Sequence, residues 1–227
     1  MKTEKNIALE FNDFSKNYTH DMIGCVPHYL QLLSSFVSHL PDSFTPRSIL
    51  DLGSGNGNVT AQLIPRFPDA TFTLVDASEE MIDLCRTQFK DYDIIYENKY
   101  FEDFSFKEKS YDMVVAGFSL HHCDTSEKQA IFKNIYKSLK KGGLFSYSDL
   151  MISKTNRDHE DVLKKWKEFV HTTFPDGEKW NWVMEHYKEF DKPTDFQLQK
   201  EWLLQSGFST VETPFRKGYW MYVQAVK

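Results

Sequence analysis

The chain has 227 residues, enough for one large domain with a sizeable core, and its 41% apolar and 15% aromatic content excludes a disordered polymer. A formal net charge of -6 leaves no global basic excess of the kind a general nucleic-acid binder carries. Three scattered cysteines (Cys25, Cys85, Cys123) read as reduced thiols, the opening MKTEKNIALEFNDF lacks a signal-peptide core, and no apolar run nears the ~20 residues of a membrane span, so a cytoplasmic protein is expected.

Residues 7 to 40 read as helical, with Tyr29, Leu32, Leu33, Phe36, Val37 and Leu40 on one face. Pro41 and Pro46 mark a loop, and from Arg47 the texture alternates. SILDLG is a strand and NVTAQLIPRF a helix. TFTLVDAS is a second strand, followed by the helix SEEMIDLCRTQF with Ser78 as N-cap. DIIYEN and YDMVVAGF are strands three and four. SEKQAIFKNIYKSLKKGG reads as a helix stopped by paired glycines, and LFSYSDLMI as a fifth strand. Such alternation predicts a mostly parallel sheet covered on both faces. Residues 153–192 are polar, aromatic and helical in pattern. TDFQLQKEWLLQSGF is a helix ending at Gly207, and STVETPFR and GYWMYVQAVK are two closing strands around a turn at Lys217-Gly218. The expected organisation is one domain. Residues 1–46 form a helical lead-in, 47–152 the ligand-binding core, 153–192 a helical insertion, and 193–227 a helix and hairpin.

The stretch ILDLGSGNGNVT carries three glycines in five residues between strand and helix, too many for a turn that merely tolerates glycine. A phosphate-cradling loop needs Gly-Lys-Ser/Thr, and no lysine is present. A dinucleotide fingerprint needs G-x-G-x-x-G. Gly53 and Gly55 fit, but Asn58 holds the third position and Gly57 comes one residue early. Asp51, ending the apolar run, is read with the loop as part of the ligand site. Asp76 closes the second strand, where its two oxygens suit a ribose diol; a nicotinamide enzyme uses the same device, and a plain helix cap is the alternative.

Together, ILDLGSGNGNVT, TLVDASEEMIDLC, YDMVVAGFSLHHC and SLKKGGLFSYSD resemble the class I S-adenosylmethionine-dependent methyltransferases. The resemblance implies an α/β fold: a Rossmann-like sheet of seven strands, mostly parallel, with the last strand antiparallel. It implies S-adenosylmethionine as cofactor, leaving as S-adenosylhomocysteine. By position, Gly53, Ser54 and Gly55 would hold the methionine part and Asp76 the ribose. Ala77 and Met81 would flank the adenine, Tyr100 and Phe101 would lie at its amino group, and Gly117 would approach the cofactor closely. Many members place an Asp where this chain has Tyr100. FNDFSKNYTHDMIGCVPHY is similar to the start of the carboxy-S-adenosylmethionine synthases of tRNA uridine modification. That likeness implies a Tyr29 contact to the cofactor's carboxylate end and a homodimer. Those enzymes use a later arginine for the extra carboxylate; here none occurs between Arg157 and Arg216, which favours the ordinary cofactor.

Methyl transfer from a sulfonium needs mainly alignment, and a base only where the acceptor loses a proton. His121, just after strand four, is the candidate base, with His122 beside it. A metal site from the neighbours His121, His122, Cys123 and Asp124 fits no usual ligand spacing, so none is expected. Cys123 has nothing adjacent to make it a nucleophile. Gly117-Phe118-Ser119-Leu120 replaces the Asn/Asp-Pro-Pro-aromatic turn common in enzymes methylating planar amines, which disfavours nucleic-acid bases. Tyr18, Trp166 and Trp182 are candidates to enclose a small acceptor, against a bland reading of helix packing. The expected function is methylation of a small molecule with no membrane partner. The alternatives are a synthase of the carboxylated cofactor or other tRNA-modification enzyme, a non-catalytic cofactor-binding module and, disfavoured by Asn58, a nicotinamide oxidoreductase.

Overall fold

A computed structural model describes residues 17–227 together with Ile7, Ala8 and Glu10. Residues 11–16, which open the narrower resemblance, lie outside the described residues, as does most of the expected helix before Asn17. Two helices follow, α1 (Tyr18–Cys25) and α2 (Tyr29–Ser38).

In β1 (Ser48–Leu52), four consecutive residues from Ile49 are buried. A continuous buried run needs cover on both faces of the sheet, and period-two geometry divides it. Ile49 packs with Leu32, Phe36 and Leu63 in one core, while Leu50 and Leu52 pack with Phe132, Ile135 and Leu203 in the other. The first core is covered by α2, α3 (Asn58–Leu63) and α4 (Glu79–Gln88), the second by α5 (Thr125–Ser138) and α8 (Phe196–Ser206). Ser78 caps α4 as expected, accepting from Met81 N at 3.2 Å.

The remaining strands are β2 (Thr71–Asp76), β3 (Ile94–Asn98), β4 (Tyr111–Gly117), β5 (Leu139–Leu150), β6 (Thr210–Lys217) and β7 (Trp220–Val226). Among the described residues seven strands make one sheet in the order β3-β2-β1-β4-β5-β7-β6. Strands β1 to β5 pair in parallel, and β7 runs antiparallel to both β5 and β6. The expected doubly covered sheet with an antiparallel last strand is therefore present. Strand order reverses between β1 and β4, so the loops after them diverge and open a crevice. Leu52 pairs with Val75, which brings Gly53 level with Asp76.

One boundary differs. The paired glycines do not stop α5; it ends at Ser138, and Gly142 and Gly143 lie inside β5. Gly142 (φ 75°) sits where the β4–β5 register shifts, between the pairs Tyr111–Leu139 and Met113–Leu144. A positive φ in a strand makes a bulge, and the bulged Lys140 reaches Asp112 at 2.9 Å.

After β5, α6 (His159–Thr173) and α7 (Glu178–Glu189) form the expected insertion and pack on α1. Trp166 Nε1 donates to Cys25 O at 2.5 Å, and Lys179 Nζ to Asp21 Oδ2 at 2.9 Å. The Trp166 ring meets Trp180, Tyr187 and Trp220 edge-on, with centroids 5.3 to 5.9 Å apart. These helices close over the carboxyl ends of β4 and β5.

Candidate active site

The glycine loop has the conformation its sequence demands. Gly53 and Gly57 have φ of 68° and 86°, the left-handed region, and neither has room for a side chain. A Cβ on Gly53 would lie 2.3 Å from Ser119 Cβ, and one on Gly57 2.5 Å from the Phe89 ring. Gly53 N and Ser54 N both donate to Val75 O, at 2.8 and 3.1 Å. Asn56, between the last two glycines, and Asn58, just after them, tie the loop to α1 and α2. Asn56 Nδ2 donates to Thr19 Oγ1 at 2.8 Å, Thr19 Oγ1 to Asn58 Oδ1 at 3.0 Å, and Asn58 Nδ2 to the Tyr29 hydroxyl at 2.8 Å.

Asp76 faces this loop. Its Oδ2 accepts from Gly55 N at 2.8 Å and its Oδ1 from Ser78 N at 2.9 Å. Burial pushes its pKa up, and the N–H groups of Ser78, Gly55 and Ala77 pull it back. A carboxylate offers about four acceptor positions, so the group keeps capacity for a ligand hydroxyl.

Above the loop lies a cavity of about 450 Å³, within the range of small-ligand sites. Its wall includes Gly53, Gly55, Asp76, Ala77, Met81, Tyr100 and Phe101, seven of the eleven residues expected at the cofactor. The other four stand behind it. Tyr29 is buried, with its hydroxyl on Asn58 and its ring 5.5 Å from that of Phe118. Ser54 is buried in the loop. At Gly117 packing by itself requires glycine: a Cβ there would lie 2.6 Å from Val59 on α3.

Asp51 lies fully buried beneath the loop. Its Oδ2 accepts from Thr60 Oγ1 at 2.7 Å, while Oδ1 has no hydrogen-bond partner among the described residues. Burial raises its pKa to about 7. An orphaned buried carboxylate oxygen under a cavity is a receptor for a cation or an N–H donor. The cradle thus fits a cationic amino-acid nucleoside: diol acceptor at Asp76, close backbone at Gly53, and an acid below.

A second, smaller cavity of about 80 Å³ adjoins the first, and Tyr18 and Phe118 line both. Tyr18 lies against the loop, 3.7 Å from where a Gly55 Cβ would be. Phe118 has φ 55°, an outlier for a bulky residue, held by Phe118 N donating to Ser148 O at 2.9 Å. The smaller cavity is lined by Trp166, Trp182, His121, His186, Asp149 and Asp191, among others, so the two expected tryptophans and His121 do converge. His122 lines the larger cavity.

His121 Nδ1 stands 2.6 Å from Asp149 Oδ1, which also accepts from Leu150 N at 2.9 Å. Its Nε2 is 3.6 Å from Asp191 Oδ1. Although burial alone would lower the His121 pKa, the two carboxylates outweigh it and raise it to about 9. Burial lowers that of His122 and takes that of His186 to about 4. Asp191 is held near 2 by these rings against its own burial. Burial raises Cys123 to about 12, a thiol and not a nucleophile. Asp124 caps α5, accepting from Glu127 N at 2.9 Å.

Sequence reading did not find Asp149, Asp191 or His186. Nor did it find Lys128, buried on α5, whose Nζ donates to Cys123 O at 2.7 Å and Lys192 O at 2.5 Å and so anchors the Asp191 loop. A lysine on the apolar face of a helix was the available signal for that last residue.

Residues 49–143 match the family model described as "Methyltransferase domain". Over 211 residues the chain is 23% identical to a carboxy-S-adenosyl-L-methionine synthase of Campylobacter fetus, covering 92% of this chain and 90% of that one. It is 27% identical over 183 residues to a malonyl-[acyl-carrier protein] O-methyltransferase of Acetivibrio thermocellus, covering 79% of this chain and 62% of that one. A solved SAM-dependent methyltransferase from Thermotoga maritima shares the fold, with a TM-score of 0.65 at 17% identity over 98% of this chain and all of that one. No helix among the described residues is long and apolar enough to cross a membrane. With its strand order, its glycine loop clamped to Asp76 and the match over residues 49–143, the chain carries a methyltransferase domain on the class I fold of S-adenosylmethionine-dependent enzymes.

Proposed function

We propose that the protein methylates a small, largely apolar acceptor held in the smaller cavity, with the cofactor in the larger one. The observation that carries this reading is the junction of the two cavities at Tyr18 and Phe118. A donor on one side and an acceptor on the other meet there in line. When bound, the cofactor supplies an activated methyl and a good leaving group. The chain supplies position: Asp76 holds the ribose, Gly53 to Gly55 and Asp51 the methionine end, and Ala77, Met81, Tyr100 and Phe101 enclose the adenine. Tyr29 and Gly117 support the loop and β4 from behind.

Alignment of this kind contributes roughly 7–11 kcal/mol in favourable systems, and the aromatic wall keeps water away. With no ion bound, His121 faces the acceptor and holds its proton at neutral pH between two carboxylates, so it orients rather than accepts. The helices α6 and α7 favour an enclosed small molecule over a groove for a macromolecule.

The near full-length likeness to the Campylobacter synthase favours a second reading, synthesis of a carboxylated cofactor. The chain brings no arginine to α6 or α7 for the added carboxylate, and the His121 charge is already met by Asp149 and Asp191. Mass spectrometry of the nucleoside that co-purifies separates the two. Ordinary S-adenosylmethionine or S-adenosylhomocysteine supports methyl transfer; a carboxylated sulfonium supports the synthase.

A further inference from the structure

Three rings and a carboxylate converge at the wall between the cavities. Asp191 Oδ1 lies 3.3 Å from His122 Nδ1, 3.6 Å from His121 Nε2 and 3.5 Å from His186 Nε2. All three separations exceed the roughly 2.7–2.9 Å of a charge-assisted hydrogen bond. Those from His121 and His122 match a different geometry. Around a tetrahedral ion with ligand bonds of about 2.0–2.2 Å, donor atoms stand roughly 3.3–3.6 Å apart. One donor atom from each of His121, His122 and Asp191 lies within 4.8 Å of the other two.

We infer that His121, His122 and Asp191 bind a divalent transition ion of the Zn2+ type. Two imidazoles and a carboxylate suit this class of metal, and three protein ligands leave a coordination position for another molecule. The outer contacts fit as well. Asp149 on the far nitrogen of His121 fixes the ring with Nε2 turned to the site, the arrangement that orients metal-bound imidazoles. Lys192 N donates to His121 O at 2.6 Å, joining the Asp191 loop to the histidine pair. His186 stands beside the set as a neighbour of Asp191.

The sequence expectation of no metal considered only residues adjacent in sequence. Asp191 reaches the pair from the end of the helical insertion, which pattern reading does not reveal. His121 and Asp191 line the smaller cavity and His122 the larger, so the ion sits between them. Its ligand-accepting position would hold the acceptor's oxygen, nitrogen or sulfur at the junction. That role rests on the proposed acceptor cavity; binding of the ion does not.

The test is calorimetry of ZnCl2 into chelator-treated full-length protein without cofactor, with visible spectroscopy of the Co2+ form as a second readout. One site per chain is expected, with the visible bands of four-coordinate Co2+. His122→Asn and Asp191→Asn should abolish both, and Asp149→Asn should weaken Zn2+ binding by ~10–100-fold. His39→Asn, far from the cluster, should change neither. Circular dichroism shows whether each variant is folded. Absence of a Zn2+ site in the wild type, or a site that survives both ligand variants, would overturn the inference. S-adenosylhomocysteine binding, measured separately, reports on the methyltransferase reading alone.

Discussion

Gly55 N donates to Asp76 Oδ2 at 2.8 Å, so the acid proposed to receive the ribose also holds the glycine loop in shape. Hydrogen bonds to a charged group contribute roughly 1.5–3 kcal/mol each. Asp76→Ala should therefore weaken S-adenosylhomocysteine binding at least ~10-fold by calorimetry. Unchanged affinity would show that the ribose is bound elsewhere.

Asp51 gives the site a pH dependence. Its folded pKa of about 7 lies above the ordinary carboxyl value, so the folded protein keeps a proton that the unfolded chain releases. Stability from this group is present at low pH and is lost as pH rises toward 7. Ligand binding has the opposite sign. A cationic amino group over Oδ1 favours the carboxylate, so binding expels the proton, and affinity should rise up to about pH 7 and then level. Calorimetry at pH 6 in two buffers of different ionisation heat should detect that release. Asp51→Asn should remove both the release and the pH slope.

Gly53→Ala places a Cβ 2.3 Å from Ser119 Cβ at φ 68°. The left-handed backbone alone costs a side chain about 1–2 kcal/mol, and the overlap adds to it. At roughly 2–4 °C per kcal/mol for a chain of this size, Tm should fall by more than ~4 °C, with cofactor binding lost. Gly142→Ala is the control. It shares a positive φ of 75° but has nothing within 4 Å, so it should cost only the backbone part and leave binding intact.

Lys128→Met leaves Cys123 O and Lys192 O without their buried donor. Unsatisfied buried carbonyls cost ~1–3 kcal/mol each, so urea unfolding should show a loss of at least ~2 kcal/mol. A loss below that would mean that water replaces the ammonium.

The site was half legible in the sequence. Gly53, Gly55 and Asp76 could be read because strand, loop and strand tip follow one another closely, and parallel register makes the tips level. The proposed acceptor side could not. His121 meets Asp149 and Asp191 across elements far apart in the chain, and no local period records that meeting. The expected stop of α5 at the paired glycines failed because a bulge also requires glycine. Gly117 drew a cofactor role from its position at a strand end, and packing against Val59 separately requires glycine there. Trp166 and Trp182 line one cavity because the insertion concentrates them.

Met22→Trp tests the division of labour between the cavities, since Met22 lines the smaller and not the larger. The added bulk costs about 1–3 kcal/mol of stability at most sites. Turnover should fall sharply while the Kd for S-adenosylhomocysteine stays within a factor of about two; equal loss of both would place donor and acceptor in one space.

The most direct measurement is the fate of a labelled methyl group. The protein is incubated with methyl-labelled S-adenosylmethionine and a cell extract, and small molecules are then separated from protein and RNA. Label should appear in the small-molecule fraction on a compound other than the cofactor, and Asp76→Ala should abolish it. Label confined to RNA or protein would contradict the enclosed acceptor site.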